Sequence, residues 1–167
     1  MATLCAAVSA LRSLGQLLGV SRLYQSDPVG GPSQGTYLNA AVHLQTSLDA
    51  FDALEQLQVI ENRHGRDRER EGRWGPRTLD LDILWAQRLT ETGHLQPLLL
   101  ETAKLVVPHP RLLERAFTLL PLLDLLPGVA HPSTGEPLEP RLLRLKHQRI
   151  EVVHGTVWGD DFFRSTD

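Results

Sequence analysis

The sequence predicts an α+β sandwich in which helices cover one face of a mainly antiparallel sheet. The first observation is the order of hydrophobic patterns along the chain, which is helix, strand, strand, helix, strand. The second is size, since 167 residues that are 41% apolar suffice for one core, and no internal repeat or linker divides them. We therefore expect one domain over residues 1–158 and a mobile tail over residues 159–167.

The first half of the chain carries the clearest patterns. Apolar residues at spacings of three or four predict a helix over residues 2–18. Two strands are predicted over residues 20–26 and 36–46, and the prolines and glycines between them indicate a loop. An apolar face predicts a second helix over residues 48–63, and residues 78–85 predict a third strand.

The second half is less regular. A short hairpin is predicted within residues 86–104. Residues 106–128 have helical spacing, and Pro121 predicts a break because proline lacks an N–H donor. An edge strand is predicted near residues 149–157.

Composition excludes several classes of protein. No run of 18 apolar residues occurs, so no segment is predicted to span a membrane. The N-terminus lacks the basic start and continuous apolar stretch of a signal peptide. A single cysteine, Cys5, rules out an internal disulfide and suits a reducing compartment. With a net charge of −3 the chain is not a general polyanion binder, and we expect a cytoplasmic protein.

Two aspartates interrupt the apolar run of the third predicted strand. In a strand, Asp80 and Asp82 would share one face. The opposite face, toward the helices, would carry Leu79, Leu81 and Ile83. A carboxylate removed from water needs a cation or strong donors, and magnesium is the first choice because carboxylates and substrate phosphates hold it together. The alternative is a structural ion network with neighbouring arginines.

Arginines are concentrated just before this acid pair. Six of the 17 basic residues lie close together, namely Arg63, Arg66, Arg68, Arg70, Arg73 and Arg77. Guanidinium groups bind phosphate oxygens through paired hydrogen bonds, so acids, magnesium and an arginine loop indicate phosphoryl transfer. No Walker-type phosphate loop is present. We expect residues 65–75 to close over the site when substrates bind; the alternative is a solvated loop balanced by its own acids.

A polar pair on the second predicted strand could bind a flat heterocycle. Tyr37 and Asn39 share a strand face, where a ring could stack and an amide could form hydrogen bonds. Ordinary surface residues are the alternative for this pair. For His109, between two prolines, an ordinary turn residue is likewise the alternative.

One twelve-residue stretch resembles the signature of the 6-hydroxymethyl-7,8-dihydropterin pyrophosphokinases, enzymes of folate synthesis: RWGPRTLDLDIL, residues 73–84. Three further segments fit the family in order and spacing: YQSDPVGGPSQGTYLNAAV (24–42), IENRHGR (60–66) and VVPHPRLLERAFTLLPL (106–122). The resemblance extends from residue 2 to residue 140. It implies a ferredoxin-like sandwich that moves a pyrophosphoryl group from ATP to the hydroxymethyl group of the pterin, releasing AMP and using two Mg²⁺ ions.

The resemblance also implies a role for individual residues. Asp80 and Asp82 would hold both metal ions, and Arg66 and Arg77 match the catalytic arginines. The positions that match the ATP site are Glu61, Arg68, Trp74, Ile83, Lys104, His109 and Arg115. Those that match the pterin site are Ser26, Val29, Tyr37, Asn39, Trp74 and Phe117, with Tyr37 and Phe117 as the two rings that sandwich the pterin.

The chain departs from the family pattern in several places. Lys104 stands where arginine is common, and Ser26-Asp27 replaces a more usual Thr-Pro pair. Family members open with a strand and a Gly-Ser-Asn turn, whereas this chain begins at the helix, so we expect the sandwich to lack that first strand. The remaining strands could then not all pair, and the chain would be unstable unless another segment, such as 149–157, fills the gap.

Three functions are compatible with the sequence. The leading hypothesis is a monomeric, active pterin pyrophosphokinase whose partners are ATP and the pterin, with neither nucleic acid nor membrane. The second is an inactive, truncated relative. The third is an RNA-binding module that uses the arginine loop, which the negative net charge disfavours.

Overall fold

The computed structural model describes residues 1–28, 35–65, 78–154 and Trp158. Within these ranges the helices are α1 Ala2–Leu11, α2 Ala50–Arg63 and α3 Ala116–Leu125, with 3₁₀ segments at Arg12–Leu14, Leu112–Glu114 and Glu139–Leu145. The strands are β1 Gln16–Val20, β2 Leu23–Ser26, β3 Tyr37–Asn39, β4 Val42–Gln45, β5 Gln87–Leu89, β6 Leu95–Pro97, β7 Leu100–Glu101, β8 Val106–Val107 and β9 Ile150–His154. They form small antiparallel sheets, so the predicted α+β class is confirmed.

The first four strands form one antiparallel ribbon. β1 pairs with β4, and β2 pairs with β3 so that Ser26 lies opposite Tyr37. Between the two pairs, Ser21 N donates to Ala41 O at 2.9 Å, and Ser21 Oγ accepts from Ala41 N at 2.8 Å. The two predicted strands are therefore present, but each is interrupted where the Ser21 hydroxyl replaces a backbone partner.

The first helix is shorter than predicted. α1 ends at Leu11, a 3₁₀ turn follows, and residues 16–18 lie in β1 rather than in a helix. Gly15 allows this close approach, because a Cβ there would lie 2.1 Å from the carbonyl oxygen of Gln45. Pairing with β4 thus outweighs the helical spacing of the leucines.

α1 and α2 pack together on one face of the ribbon. Their shared core contains Ala7, Leu11, Ile60 and Leu79, with Val42 of β4 packed against it. α2 is capped by Asp49, whose Oδ1 accepts from Phe51 N at 2.8 Å and Asp52 N at 2.9 Å. The apolar face of α2 thus meets α1 through Leu57 and Ile60, as its spacing predicts, although Phe51 at its start remains exposed.

α3 lies on the opposite face of the ribbon. Val20 of β1 packs against Val8 of α1, whereas a Cβ on the neighbouring Gly19 would lie 3.0 Å from Leu125 of α3. Because successive residues of a strand face opposite sides, α1 and α3 flank the ribbon from its two sides. The helices therefore do not all share one face, contrary to the prediction.

Pro121 does not break α3, which runs through it. Proline cannot donate the backbone bond of its turn. However, Pro121 itself and its neighbours Leu119 and Leu122 are buried in a core that also contains Leu112 and Leu138. Burial of these side chains holds the helix together, so the predicted break is wrong.

The third predicted strand is absent, since residues 78–86, all of them described, belong to no strand. Their backbone groups bond elsewhere: Leu81 N to a side chain of α2, Leu84 O to His109 N, and Ala86 O to Leu98 N. We call residues 78–86 the acidic segment. Its hydrogen bonds tie it to α2, to the residue that follows β6 and to the chain after β8.

The helix predicted over residues 106–128 is wrong at its start, because Val106–Val107 form β8, Leu112–Glu114 form a 3₁₀ segment and α3 begins only at Ala116. The predicted hairpin and edge strand are present. β5 and β6 form a hairpin within residues 86–104. β9 pairs with β2, which makes it the edge strand of a sheet ordered β3-β2-β9. No helix in the described ranges is long and apolar enough to cross a membrane.

Candidate active site

Exposure alternates over residues 78–83 of the acidic segment although the segment is not a strand. Leu79 is buried and Leu81 packs against the same α1–α2 core. Asp80 and Asp82 are exposed. The predicted division into an apolar side and a carboxylate side is therefore confirmed for these four residues.

Glu61 supports the acidic segment from within. Its side chain is fully buried, and its Oε1 accepts a hydrogen bond from Leu81 N at 2.7 Å. Leu81 lies between the two aspartates, so this bond fixes the backbone that carries both carboxylates. In the free chain Glu61 presents no exposed surface to a nucleotide, and its predicted place in the ATP site remains a prediction.

Asp82 lies in an unfavourable electrostatic position. Surrounding protein raises the pKa of its carboxyl group, the negative charge of Asp80 raises it further, and Glu61 adds to the effect. The positive potential of His109 and Arg115 opposes these influences without cancelling them. An exposed carboxylate pair with this balance is suited to a divalent cation, whose charge would favour the ionised form.

His109 is held in one orientation beside Asp82. Its backbone N donates to Leu84 O at 2.9 Å, and its Nδ1 accepts from Arg111 N at 3.1 Å. Burial lowers the pKa of the imidazole, and Arg115 and Arg111 lower it further against the attraction of Asp82. A neutral ring that accepts at Nδ1 carries its proton on Nε2, which can then donate to a ligand.

Arg115 is a cation that lacks a full set of partners. Its Nε is buried and has no hydrogen-bond partner among the described atoms. Its Cζ lies 5.4 Å from the centre of the Phe117 ring, a cation–π contact. Burial, followed by repulsion from Arg111, lowers the pKa of the guanidinium group. An anion bound here would relieve both the repulsion and the missing hydrogen bond.

The residues assigned to the pterin meet on the β2–β3 pair. Asn39 Nδ2 donates to Ser26 Oγ at 3.0 Å and to Tyr37 O at 3.3 Å. Ser26 is buried, whereas Tyr37 remains 36% exposed. Phe117 belongs to α3, which packs on both strands. The predicted pterin residues that the structure describes therefore lie on adjoining elements.

Two further residues predicted for the ATP site, Ile83 and Lys104, are described, and the remaining predicted site residues are not. Ile83 is half-buried in the acidic segment, and Lys104 is exposed in a turn that Thr102 closes through hydrogen bonds to Leu105. Val29, Arg66, Arg68, Trp74 and Arg77 lie outside the described residues, as do most of the predicted closing loop and the predicted tail.

Sequence reasoning did not identify Arg111 or the supporting role of Glu61. The Arg111 N–H fixes the ring of His109, and Glu61 fixes Leu81 across 20 positions of sequence. The first contact uses a backbone group, which carries no sequence signal. A glutamate near the end of a helix is usually exposed, so the second could not be read from spacing either.

A magnesium ion fits the carboxylates that the structure provides. Mg²⁺ prefers oxygen ligands and retains several positions for water and substrate phosphates, so two carboxylates suffice. Asp80 and Asp82 are exposed on one side of the acidic segment, and Asp82 is the group whose ionised form needs stabilisation. The residues that would hold the ion are therefore present.

Comparisons with known proteins agree on one family. The model of the family described as 7,8-dihydro-6-hydroxymethylpterin-pyrophosphokinase matches residues 1–127. Three relatives are each named 2-amino-4-hydroxy-6-hydroxymethyldihydropteridine pyrophosphokinase. The protein from Bacillus subtilis is 43% identical over 81% of this chain and 76% of its own length. Those from Pseudomonas aeruginosa and Haemophilus influenzae are 40% and 35% identical, over 84% and 75% of this chain and 79% and 75% of their own lengths.

Proposed function

The chain belongs to the 7,8-dihydro-6-hydroxymethylpterin-pyrophosphokinase family, and we propose that it transfers a pyrophosphoryl group from ATP to 6-hydroxymethyl-7,8-dihydropterin in folate biosynthesis. The acceptor is the hydroxymethyl oxygen, and the second product is AMP. The observation that carries this proposal is the family match over residues 1–127, which includes the acidic segment, α3 and the β2–β3 pair.

Asp80 and Asp82 would hold two Mg²⁺ ions, which when bound would neutralise phosphate oxygens and help orient the acceptor hydroxyl. Their exposure on one side of the acidic segment and the raised pKa of Asp82 support this assignment. The Glu61 bond to Leu81 N holds the two carboxylates in place before any ligand arrives. The chain therefore contributes positioning and charge rather than a covalent intermediate.

The cationic groups next to the acid pair would bind the phosphates of ATP. Arg115 has a buried Nε without a partner, and His109 can donate from Nε2. Both lie close enough to Asp82 to influence its pKa. Lys104 and Ile83 would complete the described part of the ATP site, and Glu61 would lie on the adenine side. The resemblance also assigns Arg68 and Trp74 to ATP binding, and Arg66 and Arg77 to catalysis of the transfer.

The pterin would bind between the rings of Tyr37 and Phe117. Asn39 uses its Nδ2 on Ser26 and on the Tyr37 carbonyl, so its Oδ1 is available to accept from an N–H group of the pterin. Ser26 and Val29 would form the wall of the pocket. Aromatic stacking favours a flat heterocycle, and the amide selects its hydrogen-bonding edge.

The finer description of the protein follows from the same proposal. We infer a ferredoxin-like sandwich, supported by the order α1, antiparallel ribbon and α2 along the chain. We infer a single domain over residues 1–158 that acts as a monomer. A cytoplasmic location is supported by the single cysteine, which suits a reducing compartment.

The test is AMP formation by the purified chain. Incubation with ATP, 6-hydroxymethyl-7,8-dihydropterin and Mg²⁺ should release AMP, and omission of either the pterin or the metal should prevent it. A folded chain that releases no AMP would be an inactive relative, contradicting the proposal. Salt-dependent binding of generic RNA by such a chain would favour the RNA-binding alternative.

A further inference from the structure

Three residues join α3 to the β2 region, and we call Arg22, Tyr24 and Asp124 the α3 clamp. Arg22 donates to the Asp124 carboxylate from Nη2 at 2.6 Å, from Nε at 3.1 Å and from its backbone N at 3.0 Å. The Tyr24 hydroxyl donates to Asp124 Oδ2 at 2.8 Å. The side chain of Asp124 is 12% exposed. One carboxylate therefore gathers several donors from a segment about a hundred positions away.

The charges within the clamp are mutually stabilising. Burial alone would raise the pKa of Asp124, but hydrogen bonds from Arg22 and Tyr24 outweigh it and leave the pKa below its usual value. Burial, together with the bond to Asp124, raises the pKa of Tyr24, which keeps its hydroxyl proton as a donor. The clamp is thus fully formed in the free chain and needs no ligand.

The clamp connects the two halves of the proposed pterin pocket. Tyr24 lies directly opposite Asn39 in the β2–β3 pair. On the other side, Asp124 follows Phe117 by seven positions, so both project from one face of α3. The clamp therefore joins the face of α3 that carries Phe117 to the strand pair that carries Asn39 and Tyr37.

We propose that Asp124 is a positioning residue for the pterin, fixing the separation between Phe117 on α3 and Tyr37 on β3. This inference rests on the proposed function, because it takes the pocket between those rings as the pterin site. A flat heterocycle stacks on two rings only when their spacing matches its thickness, so a small displacement of α3 weakens binding on both faces. On the ATP side only Arg115 lies next to Phe117 at the start of α3, whereas the two carboxylates and His109 are held by the acidic segment and its own hydrogen bonds, so the ATP site depends less on the position of α3.

The test compares binding of the two substrates by variants of the full chain. 6-Hydroxymethyl-7,8-dihydropterin and a non-transferable ATP analogue are each titrated, and the Kd of each is measured by fluorescence or calorimetry. Asp124→Ala should raise the Kd for the pterin about tenfold and leave that for the ATP analogue within about twofold. An equal effect on both ligands, or none on the pterin, would overturn the inference.

Two further variants distinguish an effect on the spacing of the two rings from an effect on the stability of the fold. Asp124→Glu keeps the charge but lengthens the clamp, so it should restore the melting temperature without restoring pterin affinity; recovery of both would show that the spacing is immaterial. Tyr24→Phe removes one donor and retains the packing. This variant provides the test if Asp124→Ala does not fold. Tyr24→Phe should weaken pterin binding about threefold, and an unchanged pterin affinity would contradict the inference.

A matched control is available in a second ion pair. Glu136→Ala removes the carboxylate that Arg141 contacts, and neither residue belongs to α3, β2 or the clamp. It should leave both Kd values unchanged, and a loss of pterin affinity here would overturn the assignment to the clamp. Wild-type chain that binds the pterin but releases no AMP would contradict the proposed function alone, whereas wild-type chain that binds no pterin would contradict both.

Discussion

Asp82 and Asp124 are two aspartates near arginines, yet their environments act in opposite directions. Asp124 accepts hydrogen bonds from Arg22 and Tyr24, which outweigh burial and lower its pKa. Asp82 is influenced by Arg115 through space, and partial desolvation by the surrounding protein, together with the negative charge of Asp80, raises its pKa. The chain itself satisfies the Asp124 carboxylate, whereas the charge of Asp82 is left for a ligand to balance, as expected of the metal site proposed here.

Arg22, beside Asp124, and Arg115, near Asp82, differ in the same way. Arg22 has its pKa raised, chiefly by its hydrogen bond to Asp124. Arg115 has its pKa lowered, chiefly by burial, and its Nε lacks a partner among the described residues. The α3 clamp is therefore complete in the free chain, while the surroundings of the acidic segment would become complete only with metal and phosphate.

The largest expected effect tests the chemical side of this contrast. Asp82→Ala should reduce AMP formation by more than about a thousandfold, because loss of a metal ligand removes several kcal/mol of transition-state stabilisation. The melting temperature should not fall, since the substitution removes a charge that Asp80 and Glu61 disfavour. Turnover near the wild-type rate with Mg²⁺ would exclude Asp82 as a metal ligand.

A smaller effect tests the structural side, through pH. The lowered pKa of Asp124 stabilises the fold above the pKa of an unfolded aspartate, about 3.9, and this contribution is lost as the pH falls through the lower folded value. Asp124→Asn should lower the free energy of unfolding by about 1–3 kcal/mol at pH 7 and flatten its dependence on pH below about 4. Denaturant titrations across pH measure both quantities. An Asn variant with the wild-type stability and acid profile would show that the clamp contributes nothing.

The smallest effect concerns an ion pair that belongs to neither region. Glu151 of β9 pairs with Arg149 at 3.2 Å, both side chains are exposed, and both border a cavity of about 80 Å³ next to Ser26. Glu151→Gln should change the free energy of unfolding by less than about 0.5 kcal/mol, because exposed pairs contribute little. Pterin affinity should stay within about twofold. A larger loss would extend the pterin site to β9, beyond the residues that the family model matches.

The pattern of neighbouring residues predicted many of the helices and strands correctly. It failed where hydrogen bonds to distant parts of the chain determine the local structure. The apolar face of α2 and the turn residues of the β5–β6 hairpin are properties of neighbouring residues, and both elements were predicted. Residues 16–18 have helical spacing but lie in β1, because pairing with β4 and the close approach at Gly15 prevail. The acidic segment alternates like a strand, yet its backbone bonds to Glu61, His109 and Leu98.

The same distinction applies to the candidate site, where some residues could be predicted from the local sequence and others could not. Asp80 and Asp82 could be predicted because two carboxylates within an apolar run are costly without a cation. The α3 clamp could not be predicted, since Arg22 and Asp124 are 102 positions apart and neither stands in a recognisable motif. Family resemblance assigns Phe117 and Tyr37 to the two sides of the pterin but carries no information about what sets the distance between them.

The hydrogen bond from Leu81 N to Glu61 makes the position of the two aspartates independent of the length of the chain between α2 and the acidic segment. Glu61 lies in the last turn of α2 and Leu81 lies between the two aspartates, so the intervening stretch is fixed at both ends. Lengthening such a stretch costs little, about 0.6 kcal/mol for each doubling. A change in the number of residues between Glu61 and Leu81 would therefore leave the two carboxylates where the Leu81–Glu61 bond holds them.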